Sequence, residues 1–192
     1  MSENNASGNV AINAQTARTK KIVLIGLMTA VTCILGPLSI PLPFSPVPIS
    51  LTNFAIFLAV FILGMKDATI SFIIYLLLGA VGVPVFSAFS GGLGKLVGPT
   101  GGYLFGFIFL ALIMGFFMEH FDRKIVPTII GMIIGMAVCY IFGTVWLAKL
   151  MSLSFNEALA LGVLPYLAGD VAKIIIAVII GPRLYAATLK VR

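Results

Sequence analysis

Six stretches of this chain run almost without charge. They are IVLIGLMTAVTCIL (22–35), LTNFAIFLAVFILG (51–64), ATISFIIYLLLGAVGV (68–83), GGYLFGFIFLALIMGFFM (101–118), IVPTIIGMIIGMAVCYIFGTVWLA (125–148) and YLAGDVAKIIIAVIIGPRLYAA (166–187). A helix needs about 20 apolar residues to cross the hydrocarbon core, fewer with anchoring flanks. The runs are continuous rather than alternating, which argues against a membrane barrel. Only 9% of the residues are charged, against about 25% in a soluble domain, so water cannot be the main solvent. The sequence therefore predicts an all-α membrane protein of six transmembrane helices. The second helix is short, and the apolar SIPLPFSPVPIS ahead of it is expected at or in the membrane. Residues 1–17 are polar and read as a disordered N-terminus. Residues 18–192 read as one six-helix membrane domain with a ligand pocket near the outer face. Arg18, Lys20 and Lys21 ahead of an apolar run could mimic a signal peptide, but no small-x-small cleavage site follows, and the run is read as a retained first helix.

The net charge of +6 is distributed in a way that argues against nucleic acid. With six spans both termini share a side. That side holds nine cations, Arg18, Lys20, Lys21, Lys66, Arg123, Lys124, Arg183, Lys190 and Arg192, while the other holds Lys95 and Lys149. The positive-inside rule then places both termini in the cytoplasm, with the basic residues facing anionic lipid. The inner loops, GMKD and EHFDRK, are short and charged. The outer loops are longer, nearly chargeless, and rich in Pro, Gly, Ser and Phe. Apolar loops must pack on something, so they are expected to fold over the helix ends and close a cavity.

The glycine-rich GGLGKLVGPTGGYLFG (91–106) invites comparison with a nucleotide loop. The P-loop pattern fails at Phe89 and Leu96, the dinucleotide pattern fails because Gly98 comes one residue late, and neither has a βαβ context. Pro99 marks a helix start near Thr100 and Gly101. Gly102 and Gly106, like Gly131 and Gly135, share a helix face and allow close helix packing. Gly91, Gly92, Gly94 and Gly98 read as a loop whose backbone lines the pocket or as a flexible connector. Lys95, within it, could meet a carboxylate or face water.

YLAGDVAKIII sets Asp170 and Lys173 inside an apolar run, three residues apart and so on one helix face. Ionisable groups in a membrane face a cavity or one another. The pair reads as a ligand contact or as a self-paired bridge that locks helix packing. Tyr166 lies one turn earlier on the same side, and Asn53 is a polar group early in the second helix. Cys33 and Cys139 read as buried small hydrophobes. Asp, Glu and His are too few and scattered for a metal cluster, and His120 stands in an inner loop without a nucleophile–base arrangement. The chain reads as no enzyme, with no cofactor.

PFSPVPIS, YLLLGAVGVPVF, GGLGKLVGPTGGYLFGF and the late GDVAK together resemble the BioY family, over about residues 20–190. These are the substrate-binding S components of energy-coupling-factor (ECF) vitamin importers, specific for biotin. The resemblance implies six helices with both termini inside, capture of biotin at the outer face of the bacterial cytoplasmic membrane, and docking to the membrane subunit EcfT and two cytoplasmic ATPases. It assigns ligand binding to Asp170, Lys173 and Tyr166 and to the glycine motif. Relatives carry Gln-Thr where this chain has Thr52 and Asn53. Biotin offers two ureido N–H donors, one carbonyl, an apolar ring and chain, and a carboxylate. Asp170 would accept a ureido N–H, and Lys173 would orient Asp170 or meet a ligand acceptor. Phe44, Phe86, Phe89 and Tyr166 would pack the rings. The resemblance also places an EcfT contact on helix 1, where Gly26 and Ala30 stand at four-residue spacing. A stand-alone secondary transporter or channel is the rival reading. It predicts inverted repeats and broken helices, and no repeat relates residues 20–83 to 101–190.

Overall fold

The computed structural model of the chain describes residues 2–189, with side chains from residue 15 onward. Lys190 and Arg192, counted above among the cations on the terminal side, lie outside the described residues. The elements in order are α1 (Ser2–Leu35), β1 (Ser39–Leu42), β2 (Ser45–Ser50), α2 (Thr52–Leu63), α3 (Met65–Ala80), α4 (Leu93–Val97), α5 (Gly101–His120), α6 (Ile125–Met151), α7 (Phe155–Gly162), a 3₁₀ turn (Leu164–Tyr166) and α8 (Leu167–Leu189). The six apolar runs correspond to α1, α2, α3, α5, α6 and α8. Among the described residues, three segments are long and apolar enough to cross a membrane: α5, α6 and the span from Phe155 to Leu189.

Helix α1 starts at Ser2. One expectation changes. The apolar segment before α2 is an antiparallel hairpin, with Ser39 opposite Ser50 and Leu42 opposite Ser45. Pro41, Pro46 and Pro48 explain this. Proline holds φ near the extended range and cannot donate to a ladder. In a two-stranded sheet every strand has a free edge where that missing donor is harmless.

Helix α2 sits at the centre of the bundle. All of its residues except Phe54 are buried, as expected of a helix that is apolar on every side. It packs against α8, α3, α1 and α5. Its 12 residues span only about 18 Å. The chain breaks at Gly64, whose φ of +85° favours glycine. The groups orphaned by this break find partners in the α5–α6 corner: Glu119 Oε1 accepts the Met65 N–H at 2.7 Å, and Arg123 Nη1 donates to the Phe61 carbonyl at 2.8 Å. The Arg123 guanidinium also lies 3.7 Å above the Tyr185 ring of α8. The opposite end of the bundle carries the hairpin, α4 and α7. Helix α7 starts with a capping box between Ser154 and Glu157, which satisfies two N–H groups reciprocally. Outward faces of the long helices stay apolar, with Ile133 and Ile141 of α6 and Val171, Ile175 and Ile179 of α8 all exposed. Such faces suit lipid rather than water.

The α5–α6 pair has the most extensive contact in the molecule, and the glycine spacing explains how. A Cβ on Gly106 would stand 2.9 Å from Cys139 Sγ and 3.1 Å from the Cys139 Cα, and one on Gly135 would stand 2.8 Å from a Leu110 methyl. The backbones approach where a larger residue would hold them apart. Gly106→Leu should therefore overpack this crossing and destabilise the protein by about 1–3 kcal/mol. Thermal unfolding in detergent checks this, and an unchanged melting temperature would show that the crossing is loose.

Candidate functional site

At the hairpin end the helices enclose a cavity. Strand β2 roofs it with Val47, Pro48 and Ser50. Helix α2 contributes Thr52 and Asn53, α5 contributes Tyr103, Leu104 and Phe107, and α6 contributes Met136, Cys139 and Tyr140. Tyr166, Asp170 and Lys173 come from the last helix and the turn before it. The lining is mostly apolar with a few grouped polar side chains, the usual make-up of a small-molecule pocket.

One polar cluster dominates. Asp170 is buried and its Oδ1 accepts from Asn53 Nδ2 at 2.7 Å and from Lys173 Nζ at 2.9 Å. Its Oδ2 accepts from the Tyr140 hydroxyl. Lys173 uses all three of its donors, reaching the Ser50 carbonyl at 2.6 Å and Asn53 Oδ1 at 3.0 Å besides Asp170. The i, i+3 spacing on α8 brings aspartate and lysine together, and α2 delivers Asn53 between them. The ammonium is thus saturated. What the cluster retains for a ligand is a free lone pair on Asp170 Oδ2 and the second N–H of Asn53, which meets only the soft Met136 sulfur at 3.9 Å. That is one strong acceptor beside one donor.

Tyr166 has a second task. Its hydroxyl donates to the Val47 carbonyl, and Ser45 Oγ, which lies 2.8 Å from that hydroxyl, donates to the Leu161 carbonyl at 2.8 Å. These bonds tie the hairpin roof to α7 and to the turn before α8. On the other flank the Trp146 indole donates to the Gly98 carbonyl at 3.0 Å and holds the α4–α5 corner against α6.

A model of the BioY family matches residues 7–190. The chain belongs to the BioY family. It is 38% identical over 171 residues to a protein of Pyrococcus horikoshii described as a probable biotin transporter BioY, covering 89% of this chain and 99% of that one. It is 36% identical over 165 residues to the biotin transporter BioY of Thermotoga maritima, covering 86% and 95%. The fold matches the crystal structure of the S-component for biotin from an ECF-type ABC transporter with a TM-score of 0.82 and 32% identity, over 88% of this chain and 92% of that one.

In this BioY-family protein, six of the residues singled out from sequence line the cavity: Asn53, Phe86, Lys95, Tyr166, Asp170 and Lys173. Phe44 and Phe89 do not. Phe44 caps the β1–β2 turn and is 58% exposed, and Phe89 is 67% exposed on a loop reversed by left-handed Ala88 and Phe89. The four loop glycines, Gly91, Gly92, Gly94 and Gly98, also stay outside the lining. Gly91 serves the loop itself, since a Cβ there would stand 2.5 Å from the Val83 carbonyl. Phe86 is fully buried and packs edge-on against Tyr75, so it belongs to the core as much as to the cavity. Sequence reading passed over Tyr140, Tyr103, Thr100 and Met136. Tyr140 lay in an apolar run with no charged neighbour to mark it. Its one clue was being a hydroxyl-bearing residue in the interior of a membrane helix.

Breaking the pair from one side leaves a buried charge without its partner, which costs about 3–5 kcal/mol. Lys173→Met should lower the melting temperature accordingly, and Lys173→Met with Asp170→Asn should recover most of the loss. Equal melting temperatures for the single variant and the native protein would mean that Asp170 does not depend on Lys173.

Proposed function

We infer that this chain is the substrate-binding subunit of an ECF-type importer and that it captures biotin in the cavity beneath the hairpin. The observation that carries the reading is the polar cluster at Asp170. One acceptor beside one donor is the complement of a ureido edge, which presents an N–H beside a carbonyl. Asp170 Oδ2 takes the N–H, and Asn53 gives its second N–H to the carbonyl. Lys173 orients Asp170, while Tyr166, Phe107 and Phe86 pack the rings. Fixed dipoles in a dry cavity bind such a group better than a mobile side chain could, because they need no reorganisation.

In the same reading the six helices α1, α2, α3, α5, α6 and α8 all span the cell membrane. The termini, Arg123 and Lys124 face the cytoplasm, and the cavity opens outward. Helix α1 offers the surface for EcfT. Gly26 and Ala30 are both exposed, and no atom lies within 4 Å of where a Gly26 Cβ would stand, so another helix can approach closely. Two cytoplasmic ATPases supply the energy through EcfT.

Calorimetric titration of the purified protein with biotin tests the binding role. Tight binding is expected, with a loss of about 10- to 150-fold in Asp170→Asn, the range for a hydrogen bond to a charged group. Absence of biotin binding by the native protein would overturn the reading.

A further inference from the structure

Helices α1 and α8 both pack on α2. That helix stops at Leu63 after 12 residues, while α1 and α8 continue past it. With the spacer gone, a groove opens between them at the end of the bundle away from the cavity. Its walls are Val23, Leu24 and Leu27 of α1 and Leu184 and Ala187 of α8, and Ile62 in the last turn of α2 is its floor. Spacings of three and four residues put each set on one helix face. A concave apolar surface in hydrocarbon needs a filler, because unfilled space forfeits dispersion contacts on the atoms that line it. From Lys20 to Leu27 the groove follows α1 for about 10 Å, within the roughly 15 Å of hydrocarbon in one leaflet.

The mouth has the opposite character. Thr19 and Lys20 of α1 and Thr188 of α8 line it. A second hollow that shares Thr19 carries on from there to Gln15 and Arg18. Neither lining holds an acidic side chain among the described residues. Lys21, next in the chain, pairs with Asp67 of α3 at 2.9 Å, so that carboxylate is matched on the α3 side. The apolar run of α1 begins at Ile22 and that of α8 ends at Ala187. The mouth therefore stands where hydrocarbon gives way to headgroups, and its charge is positive.

We propose that this groove holds one anionic glycerophospholipid, with an acyl chain between α1 and α8 and its phosphate beside Lys20, Arg18 and the two threonine hydroxyls. The occupant must be apolar along its length and anionic at one end, and at this depth an anionic lipid meets both conditions. Gly26 and Ala30, the surface offered to EcfT, are not part of the lining, so lipid and partner take different flanks of α1. In the orientation inferred above, the lipid comes from the cytoplasmic leaflet. The site is independent of the biotin cavity.

Native mass spectrometry of the purified protein in detergent tests this. Phosphatidylglycerol and phosphatidylcholine with the same acyl chains are added at equal concentration. The native protein should retain phosphatidylglycerol in preference by about tenfold or more, the scale of two cations near an anionic headgroup. Arg18→Gln with Lys20→Gln should bring that ratio toward one. Ala187→Trp, which fills the groove and leaves the cations in place, should lower the retention of both lipids. Added phosphatidylglycerol should raise the melting temperature of the native protein and leave that of Ala187→Trp unmoved. Equal retention of the two lipids by the native protein overturns the proposal, as does a preference that survives the double substitution. Phosphatidylglycerol retention untouched by Ala187→Trp also overturns it, because the lipid would then be held by surface charge alone. A native protein that keeps no lipid, but loses a co-purifying membrane partner in Ala187→Trp, would assign the groove to a protein helix instead.

Discussion

A carboxylate and an ammonium in an apolar bundle are tolerable only together, and the upper half of this structure is arranged around that condition. Isolated, either ion at membrane depth costs at least about 2.5 kcal/mol. Paired at 2.9 Å, and with Asn53, Tyr140 and the Ser50 carbonyl completing their hydrogen bonds, they become a stable polar island. The partners come from four elements, α8, α2, α6 and the end of β2, so the island also aligns those elements with one another. Helix α2 can be central and nearly wholly buried because its one strongly polar side chain, Asn53, bonds to Asp170 and Lys173 there.

The island is supported from both ends of the same helix pair. At its own level Tyr166 and Ser45 tie the hairpin roof to the α7–α8 segment. At the far end Arg123 bonds the last turn of α2 and lies over Tyr185 of α8. At that far end the Gly181 backbone also rests against the Phe61 ring, where a Cβ would come within 2.3 Å. The α2–α8 contact is thus polar at both ends and close-packed beside Phe61. That geometry leaves little freedom for Asn53 to drift from Asp170, and a rigid donor–acceptor pair discriminates ligands better than a pliable one.

Much of this was legible in advance. Apolar runs are read directly, because a helix in lipid must satisfy its own backbone and so advertises itself by length and composition. Asp170 and Lys173 were conspicuous because charge is rare in such runs. The Gly102/Gly106 and Gly131/Gly135 spacings announced the close α5–α6 crossing. Less legible were groups whose role depends on a partner far along the chain. Tyr140 and Asp170 are 30 residues apart, and Asn53 and Asp170 are 117 apart. No local pattern links such residues. Phe44 and Phe89 lie outside the cavity lining, and aromatic character in an outer loop does not say which way the loop turns.

The sequence by itself therefore determined the class of molecule, its helices, the charged pair and the family to which it belongs, because each is written in local composition or in a contiguous motif. It also excluded a nucleotide loop at residues 91–106. Only the tertiary structure decided which residues face the cavity, that Lys173 is spent on its neighbours, and that the proline-rich segment is a hairpin roof. Those outcomes depend on distances between segments remote in the chain, and a hydrogen bond exists only once those distances are set.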